Sequence, residues 1–296
     1  MSTATTMHPA TAPAPTELLR RRALAATPAV TPTLSVHRVG AGEPLVLLHG
    51  LGESHIGWRP VIDALSKGYD VIALDLPGFG RSPALPASMP ATAVNLAAAV
   101  QHTLDALGVG AYHVAGYSLG ARVAIQLAES DRVGSVIAIA PDGLGTPIER
   151  IQGFIAMLTG RGVAMALAPV DSWFPAGRSM FLAGTRSLPW QIAPADARQL
   201  LTDFAAAPAY EATNWASLFD MPTHLHTVTQ PALFLQGTAD PLMTPQIARY
   251  VSIIPRARLI YLPGLNHVPI SDDPAAVARH MLTFLDEVAL RAATAH

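Results

Sequence analysis

Ser118 lies in the run Gly116-Tyr117-Ser118-Leu119-Gly120, with an apolar segment (112–115) before it and the helical run 121–128 after it. G-x-S-x-G at a passage from strand to helix is the pattern of a sharp turn that exposes the serine oxygen. The flanking glycines fit because a larger side chain would collide with the turn and the neighbouring strands. The start of the following helix also favours negative charge developing beside that oxygen. A serine hydroxyl at its ordinary pKa is a weak nucleophile, so chemistry here needs a base to take its proton.

Eleven histidines are present. His267 is the best candidate base, in Gly264-Leu265-Asn266-His267-Val268-Pro269 directly after the last apolar segment. An imidazole in that role needs an acid to hold its tautomer and stabilise its protonated form. Asp240, in Gly237-Thr238-Ala239-Asp240-Pro241-Leu242, follows the preceding apolar segment, and Asp142 is the competing acid. The order Ser…Asp…His matches one of the known chain orders for such a triad. Attack on a carbonyl also needs donors for the oxyanion. His49-Gly50-Leu51-Gly52 supplies a glycine-bearing turn, which makes the Leu51 and Leu119 amides the two candidates. His49 itself reads as a brace for that turn.

The elements that would position these residues follow from hydrophobic pattern. Apolar segments at 33–39, 44–48, 70–74, 112–115, 133–140, 232–236 and 258–262 read as strands, the later ones nearly continuous. Continuous apolar runs are expected of parallel strands covered on both faces. Leu96, Val100, Leu104 and Leu107 recur at helical spacing before Gly108, and Thr244-Pro245 and Asp273-Pro274 read as helix starts. After the latter, Val277, Met281, Phe284, Leu285 and Val288 form one apolar face. The fold class is therefore α/β, a mostly parallel, doubly wound sheet with right-handed crossovers. Core segments are expected at 31–142 and 231–296, with a helical insertion at 143–230 that has no convincing strand and many aromatic and Met residues. Prolines at 169, 175, 189, 194 and 208 are expected to cut that insertion into short helices.

Composition narrows the classes. Half of the 296 residues are hydrophobic and 14% are charged, enough apolar surface for a large core. The net charge of −2, with Lys and Arg scattered, argues against a nucleic-acid partner. With no cysteine, disulfides, thiolate metal sites and cysteine nucleophiles are excluded. No apolar run reads as long enough to cross a bilayer. The Ala-, Thr- and Pro-rich stretch 1–30 lacks the apolar core of a signal peptide and reads as a flexible leader, so the cytoplasm is the expected compartment.

Taken together, these motifs resemble the α/β-hydrolase superfamily over about residues 36–290. The likeness rests on His49–Gly52, on Asp75-Leu76-Pro77-Gly78-Phe79-Gly80-Arg81-Ser82, and on the Ser118 turn, Gly237–Asp240 and Asn266-His267. It implies that the insertion caps the active site and that 75–82 is scaffold, with Phe79 at the pocket border. Three departures narrow the family. Serine at 118 is unlike the aspartate of haloalkane dehalogenases and epoxide hydrolases. Leu51 is not the tryptophan of cofactor-free haloperoxidases, and Gly52-Glu53-Ser54 replaces the Gly-Pro-Gly of carbon–carbon bond hydrolases.

The expectation is a carboxylesterase-like serine hydrolase acting through an acyl-enzyme on a small hydrophobic acyl substrate, without metal or organic cofactor. A carbon–carbon bond hydrolase is the alternative, as is a non-hydrolytic cyclase or ligand receptor using the same pocket. Ser54, Tyr117, Trp190 and Trp215 are the candidate substrate contacts, and Arg122 reads as a solvated helix residue.

Overall fold

The computed structural model describes residues 31–171, 174–241 and 244–294, so the expected leader and Trp173 lie outside the described residues. Each apolar segment forms a strand: β1 Val36–Val39, β2 Glu43–Leu48, β3 Tyr69–Leu74, β4 Tyr112–Tyr117, β5 Val133–Ile139, β6 Ala232–Gly237 and β7 Ala257–Leu262. Their order is β1-β3-β2-β4-β5-β6-β7, with β1 antiparallel to β3 and every other neighbouring pair parallel. β1 begins later than the apolar pattern suggests. The Leu34 and Ser35 amides donate to the hydroxyls of Thr103 and Ser82 instead of to a strand.

The helices are α1 Arg59–Leu65, α2 Ala93–Ala106, α3 Leu119–Leu127, α4 Pro147–Leu167, α5 Pro175–Leu182, α6 Pro194–Ala206, α7 Tyr210–Ser217, α8 Thr244–Ile253, α9 Pro269–Asp272 and α10 Pro274–Thr294. Alternation along the strands divides the core between two faces. Val46, Leu48, Ile72, Val114 and Phe234 pack with Leu96, Val100 and Leu104 of α2, Val123 of α3 and Ile247 of α8. Leu45, Leu47, Val71, Ile137 and Leu235 pack with Val61 and Leu65 of α1 and with Val277, Met281, Phe284 and Leu285 of α10. Burying a Leu-sized side chain on either face contributes roughly 1.5–3 kcal/mol. The amphipathic reading of α10 thus matches its packing, and Asp273 Oδ1 caps it by accepting the Ala276 amide at 2.9 Å.

α4 to α7 lie between β5 and β6. α4 runs for 21 residues instead of breaking early, because no proline follows Pro147 until Pro169. Its start is a capping box: Thr146 accepts the Glu149 amide while Glu149 accepts the Thr146 amide. The span Pro147–Val170, 24 residues, is long and apolar enough to cross a membrane by length and composition alone. Glu149, Arg150 and Arg161 interrupt this span, so the sequence holds no unbroken apolar run of that length there. One row of α4, formed by Ile148, Ile151, Ile155, Leu158 and Met165, faces outward and is exposed.

The chain passes from β2 to β3 on one side and then back to β4 on the other, so the winding reverses between β2 and β4. In open α/β sheets ligands bind outside the carboxyl ends of the strands at such a reversal. Leu51, Ser118, Asp240 and His267 each follow the carboxyl end of a strand, the first two at the reversal itself and the others after β6 and β7.

Candidate active site

Ser118 joins β4 to α3 with φ 54° and ψ −123°, a left-handed conformation that costs on the order of 1–3 kcal/mol for a residue with a side chain. Its amide donates to the Ile139 carbonyl at 2.9 Å, which holds the turn against β5. The flanking glycines permit the geometry. A Cβ on Gly116 would lie 2.1 Å from the Gly120 carbonyl oxygen, and one on Gly120 would lie 2.2 Å from that of Leu48.

β6 and β7 are neighbours, so the loops that leave them bring Asp240 and His267 together. His267 Nδ1 lies 2.9 Å from Asp240 Oδ2, and Gln236 Nε2 donates to the same oxygen at 2.8 Å. Both members of the pair are buried. With Nδ1 donating to the carboxylate, Nε2 is left to face a reacting group. Burial alone would lower the imidazole pKa, but the charge and hydrogen bond of Asp240 outweigh it and raise the value above the usual 6.5. Asp142, the competing acid, is engaged elsewhere: its carboxylate lies 3.4 Å from Arg122 Nε, and its carbonyl accepts the Tyr250 hydroxyl.

The turn after β2 is closed by the Glu53 amide donating to the Gly50 carbonyl at 3.3 Å. His49 braces it from below. Its Nε2 accepts the Leu76 amide at 2.9 Å, so Nδ1 carries the proton and donates to the Gly50 carbonyl at 2.7 Å. Complete burial lowers the His49 pKa and keeps that neutral tautomer. Leu51 is thereby set beside Ser118, while Leu119 opens α3, whose first amides have no partner within the helix. Phe79 does not border the pocket. It is buried with its ring edge-on to His49, centroids 5.7 Å apart.

Ser118, His267, Leu51 and Met157 line two cavities at once. The larger, about 340 Å³, is walled by apolar side chains including Val163, Phe181, Leu182 and Phe204 from α4, α5 and α6 and the turn they flank. The smaller, about 70 Å³, mixes apolar walls such as Phe154, Met157 and Leu218 with the polar side chains of Asp142, Glu149, Arg150, Asn214 and Gln246.

Of the four candidate substrate contacts, only Tyr117 lines either cavity. Ser54 is buried with its hydroxyl donating to Asp203 Oδ2 at 2.6 Å. Trp190 is 67% exposed, and Trp215, 56% exposed, packs on Phe154 and borders a separate surface groove. Arg122 is not solvated: it is fully buried and donates to the Asp220 carbonyl and to Ser217 Oγ, tying α3 to the end of α7 and the segment after it. Sequence reasoning missed Arg186, which reaches the large cavity from the turn after α5. A single arginine in an irregular stretch carries no spacing signal that would mark it.

Residues 45–280 match the model described as the alpha/beta hydrolase family. The chain is 30% identical over 262 residues to a pimeloyl-[acyl-carrier protein] methyl ester esterase of Aeromonas hydrophila, covering 82% of this chain and 95% of that protein. It is 36% identical over 121 residues, 40% of its length, to the dihydrolipoyllysine-residue acetyltransferase component of an acetoin cleaving system from Cupriavidus necator. That stretch spans 32% of the component, and a separate match of 266 residues at 31% identity spans 12% of the polyketide synthase ThaQ of Burkholderia thailandensis. A thermophilic esterase from Thermogutta terrifontis superposes with a TM-score of 0.69 at 22% identity, over 86% of this chain and 93% of that one. At that identity the likeness is one of fold alone.

Proposed function

The chain belongs to the alpha/beta hydrolase family, and within it we propose a serine hydrolase that cleaves a carboxylic ester, lactone or thioester of a hydrophobic small molecule. The observation that carries this reading is convergence. The strained Ser118 and His267, itself paired with Asp240, line the same apolar cavity of about 340 Å³. That volume lies at the small end of ligand pockets, roughly 300–1,000 Å³, and suits a short to medium acyl group.

Under this reading His267 Nε2 takes the Ser118 proton as the oxygen attacks the acyl carbon. The Leu51 and Leu119 amides receive the oxyanion. His267 then gives its proton to the leaving alcohol or thiol, and water repeats the sequence to free the acid and restore Ser118. Asp240 holds the imidazole throughout and stabilises its protonated form. α4 to α7 act as a cap that supplies the apolar walls and keeps bulk water from the acyl group. The similarity to the Aeromonas methyl ester esterase supports ester chemistry.

The test is hydrolysis of p-nitrophenyl esters from acetyl to dodecanoyl by the wild type and by Ser118→Ala. Turnover that peaks at a short or medium chain and vanishes in the variant is expected. Equal turnover in the variant would remove Ser118 from the mechanism, and no turnover with any ester would overturn the substrate class.

A further inference from the structure

Among the described residues lining the large cavity there is one arginine, Arg186, and one carboxylate, Glu53, and they are joined to each other. Arg186 Nη2 donates to Glu53 Oε1 at 2.8 Å, and the Tyr117 hydroxyl donates to Oε2 at 2.6 Å. Arg186 also donates from Nη1 to Thr185 Oγ1 at 2.9 Å and from Nε to Ser271 Oγ at 3.3 Å. Arg186, Glu53 and Tyr117 are 2%, 8% and 1% exposed, so the group is cut off from bulk water. Gly57 makes room for it, since a Cβ there would lie 2.1 Å from the Tyr117 hydroxyl and 2.7 Å from Glu53 Oε2.

A buried ion pair is a weak device for stability, because apolar side chains of equal volume often serve as well. The position of this pair matters more. A guanidinium is suited to bidentate recognition of carboxylate. Arg186 without a counter-charge, in an apolar cavity beside Ser118, would favour acyl groups that end in a carboxylate. Glu53 cancels that preference. An incoming carboxylate would have to give up its water and sit near a second carboxylate in a buried space. The pair stays ionised: burial pushes the Glu53 carboxyl up, but Arg186 and Tyr117 hold it below the usual range.

We propose that Glu53 is a specificity-determining residue, which neutralises Arg186 and so sets the acyl cavity for uncharged acyl groups against those ending in a carboxylate. The proposal rests on the hydrolase reading above and names its substrate class. Glu53 also follows the turn that carries Leu51, and its partner Tyr117 precedes Ser118. A purely structural role for Glu53 would therefore lower all activity alike, whereas a specificity role changes a ratio.

The test compares p-nitrophenyl hexanoate with the mono-p-nitrophenyl ester of adipic acid, which has the same chain length and a terminal carboxylate. The wild type is expected to prefer the neutral ester, and Glu53→Gln to shrink that preference in kcat/KM by about tenfold or more. Glu53→Gln/Arg186→Met removes both charges and is expected to keep the wild-type preference. Because it removes both members of the pair at once, this double variant still decides the matter where Glu53→Gln alone fails to fold. An equal loss on both esters in Glu53→Gln, or a lost preference in the double variant, would overturn the proposal. Calorimetric titration of Ser118→Ala and Ser118→Ala/Glu53→Gln with monomethyl adipate reads the same effect without turnover. Tighter binding by the second protein is expected, and equal binding refutes the role of Glu53. Failure of the wild type to hydrolyse any ester would instead strike the hydrolase reading, and the titration would still decide Glu53.

Discussion

His267 Nδ1 and Asp240 Oδ2 are 2.9 Å apart in a buried contact, and Gln236 fixes the same carboxylate oxygen from the strand behind it. The carboxylate raises the pKa of an imidazole that burial would otherwise depress. A base works only when unprotonated, so kcat/KM should rise with pH through an apparent pKa above 6.5. Asp240→Asn removes the largest contributions that raise it and leaves burial opposed only by the charges of Glu53 and Asp142. The acidic limb should then shift to lower pH, while kcat at neutral pH falls by about 10⁴-fold because the tautomer is no longer enforced. Asp142→Asn should leave both limb and rate within about tenfold, since Asp142 faces Arg122. A pH–rate profile of the three proteins decides it, and a larger loss in Asp142→Asn would move the acid to β5.

The difference between these two aspartates also marks what could be read from sequence. The sheet was legible because buried parallel strands must be nearly continuous apolar runs, as 133–140 and 232–236 are. The meeting of Asp240 with His267 followed from each standing just past an apolar run, since neighbouring parallel strands place their carboxyl ends side by side. Side-chain fates set by distant partners were not legible. Arg122 reads as a solvated position until Asp142, Ser217 and Asp220 close around it. Trp190 and Trp215 read as pocket walls because they are large and apolar, yet the helical insertion turns them outward, and the walls come from Phe181, Phe204 and Val163. Glu53 and Arg186 are 133 positions apart, and nothing in either neighbourhood announces their pairing.

His49 links the turn that carries Leu51 to the loop after β3 through one neutral imidazole, accepting from Leu76 and donating to Gly50. His49→Ala leaves the buried Leu76 amide without its acceptor, which costs about 1–3 kcal/mol of stability. It also strips the Gly50 carbonyl of the shorter of its two hydrogen bonds, leaving only the 3.3 Å one from the Glu53 amide, so the Leu51 amide loses its aim and kcat should fall by up to about 10²-fold with KM little changed. Denaturant titration and steady-state kinetics on a preferred ester measure the two effects. A stability loss with unchanged kcat would show that the brace does not serve the oxyanion turn.

Asp75 should make stability depend on acid. It is 1% exposed; Oδ1 accepts the His55 amide at 2.7 Å and lies 2.9 Å from His55 Nδ1, while Oδ2 accepts the Arg81 amide at 3.0 Å. Burial pushes its pKa up, but these contacts and the nearby His49 outweigh it and bring the value to about 2 from 3.8. A depressed carboxyl pKa contributes stability that is present above the unfolded value and is lost as pH falls through the folded one. The contribution here is about 2 kcal/mol at neutral pH, disappearing between about pH 4 and pH 2. Asp75→Asn should thus be less stable than the wild type at pH 7, with the gap narrowing towards pH 2. Urea midpoints across that range are the measurement, and a pH-independent gap would assign the loss to packing.

Two glycines separate the turn's need for space from helix propensity. Gly120 stands one residue into α3, where an added Cβ would meet the carbonyl oxygens of Leu48 and His49 at 2.2 and 2.5 Å. Both atoms are backbone of the strand and turn that carry Leu51, so they cannot swing aside as a side chain does. Gly120→Ala should therefore cost about 3 kcal/mol, the upper part of the usual overpacking range, and displace Ser118 from the oxyanion turn. Gly162 lies in the interior of α4 with nothing within 4 Å of an added Cβ. There the same change only removes backbone freedom from the unfolded chain, so Gly162→Ala should stabilise by about 1 kcal/mol with kcat unaltered. Thermal unfolding of the pair should move in opposite directions. If Gly120→Ala were as stable and as active as the wild type, the close approach of α3 to β2 would not be what exposes Ser118.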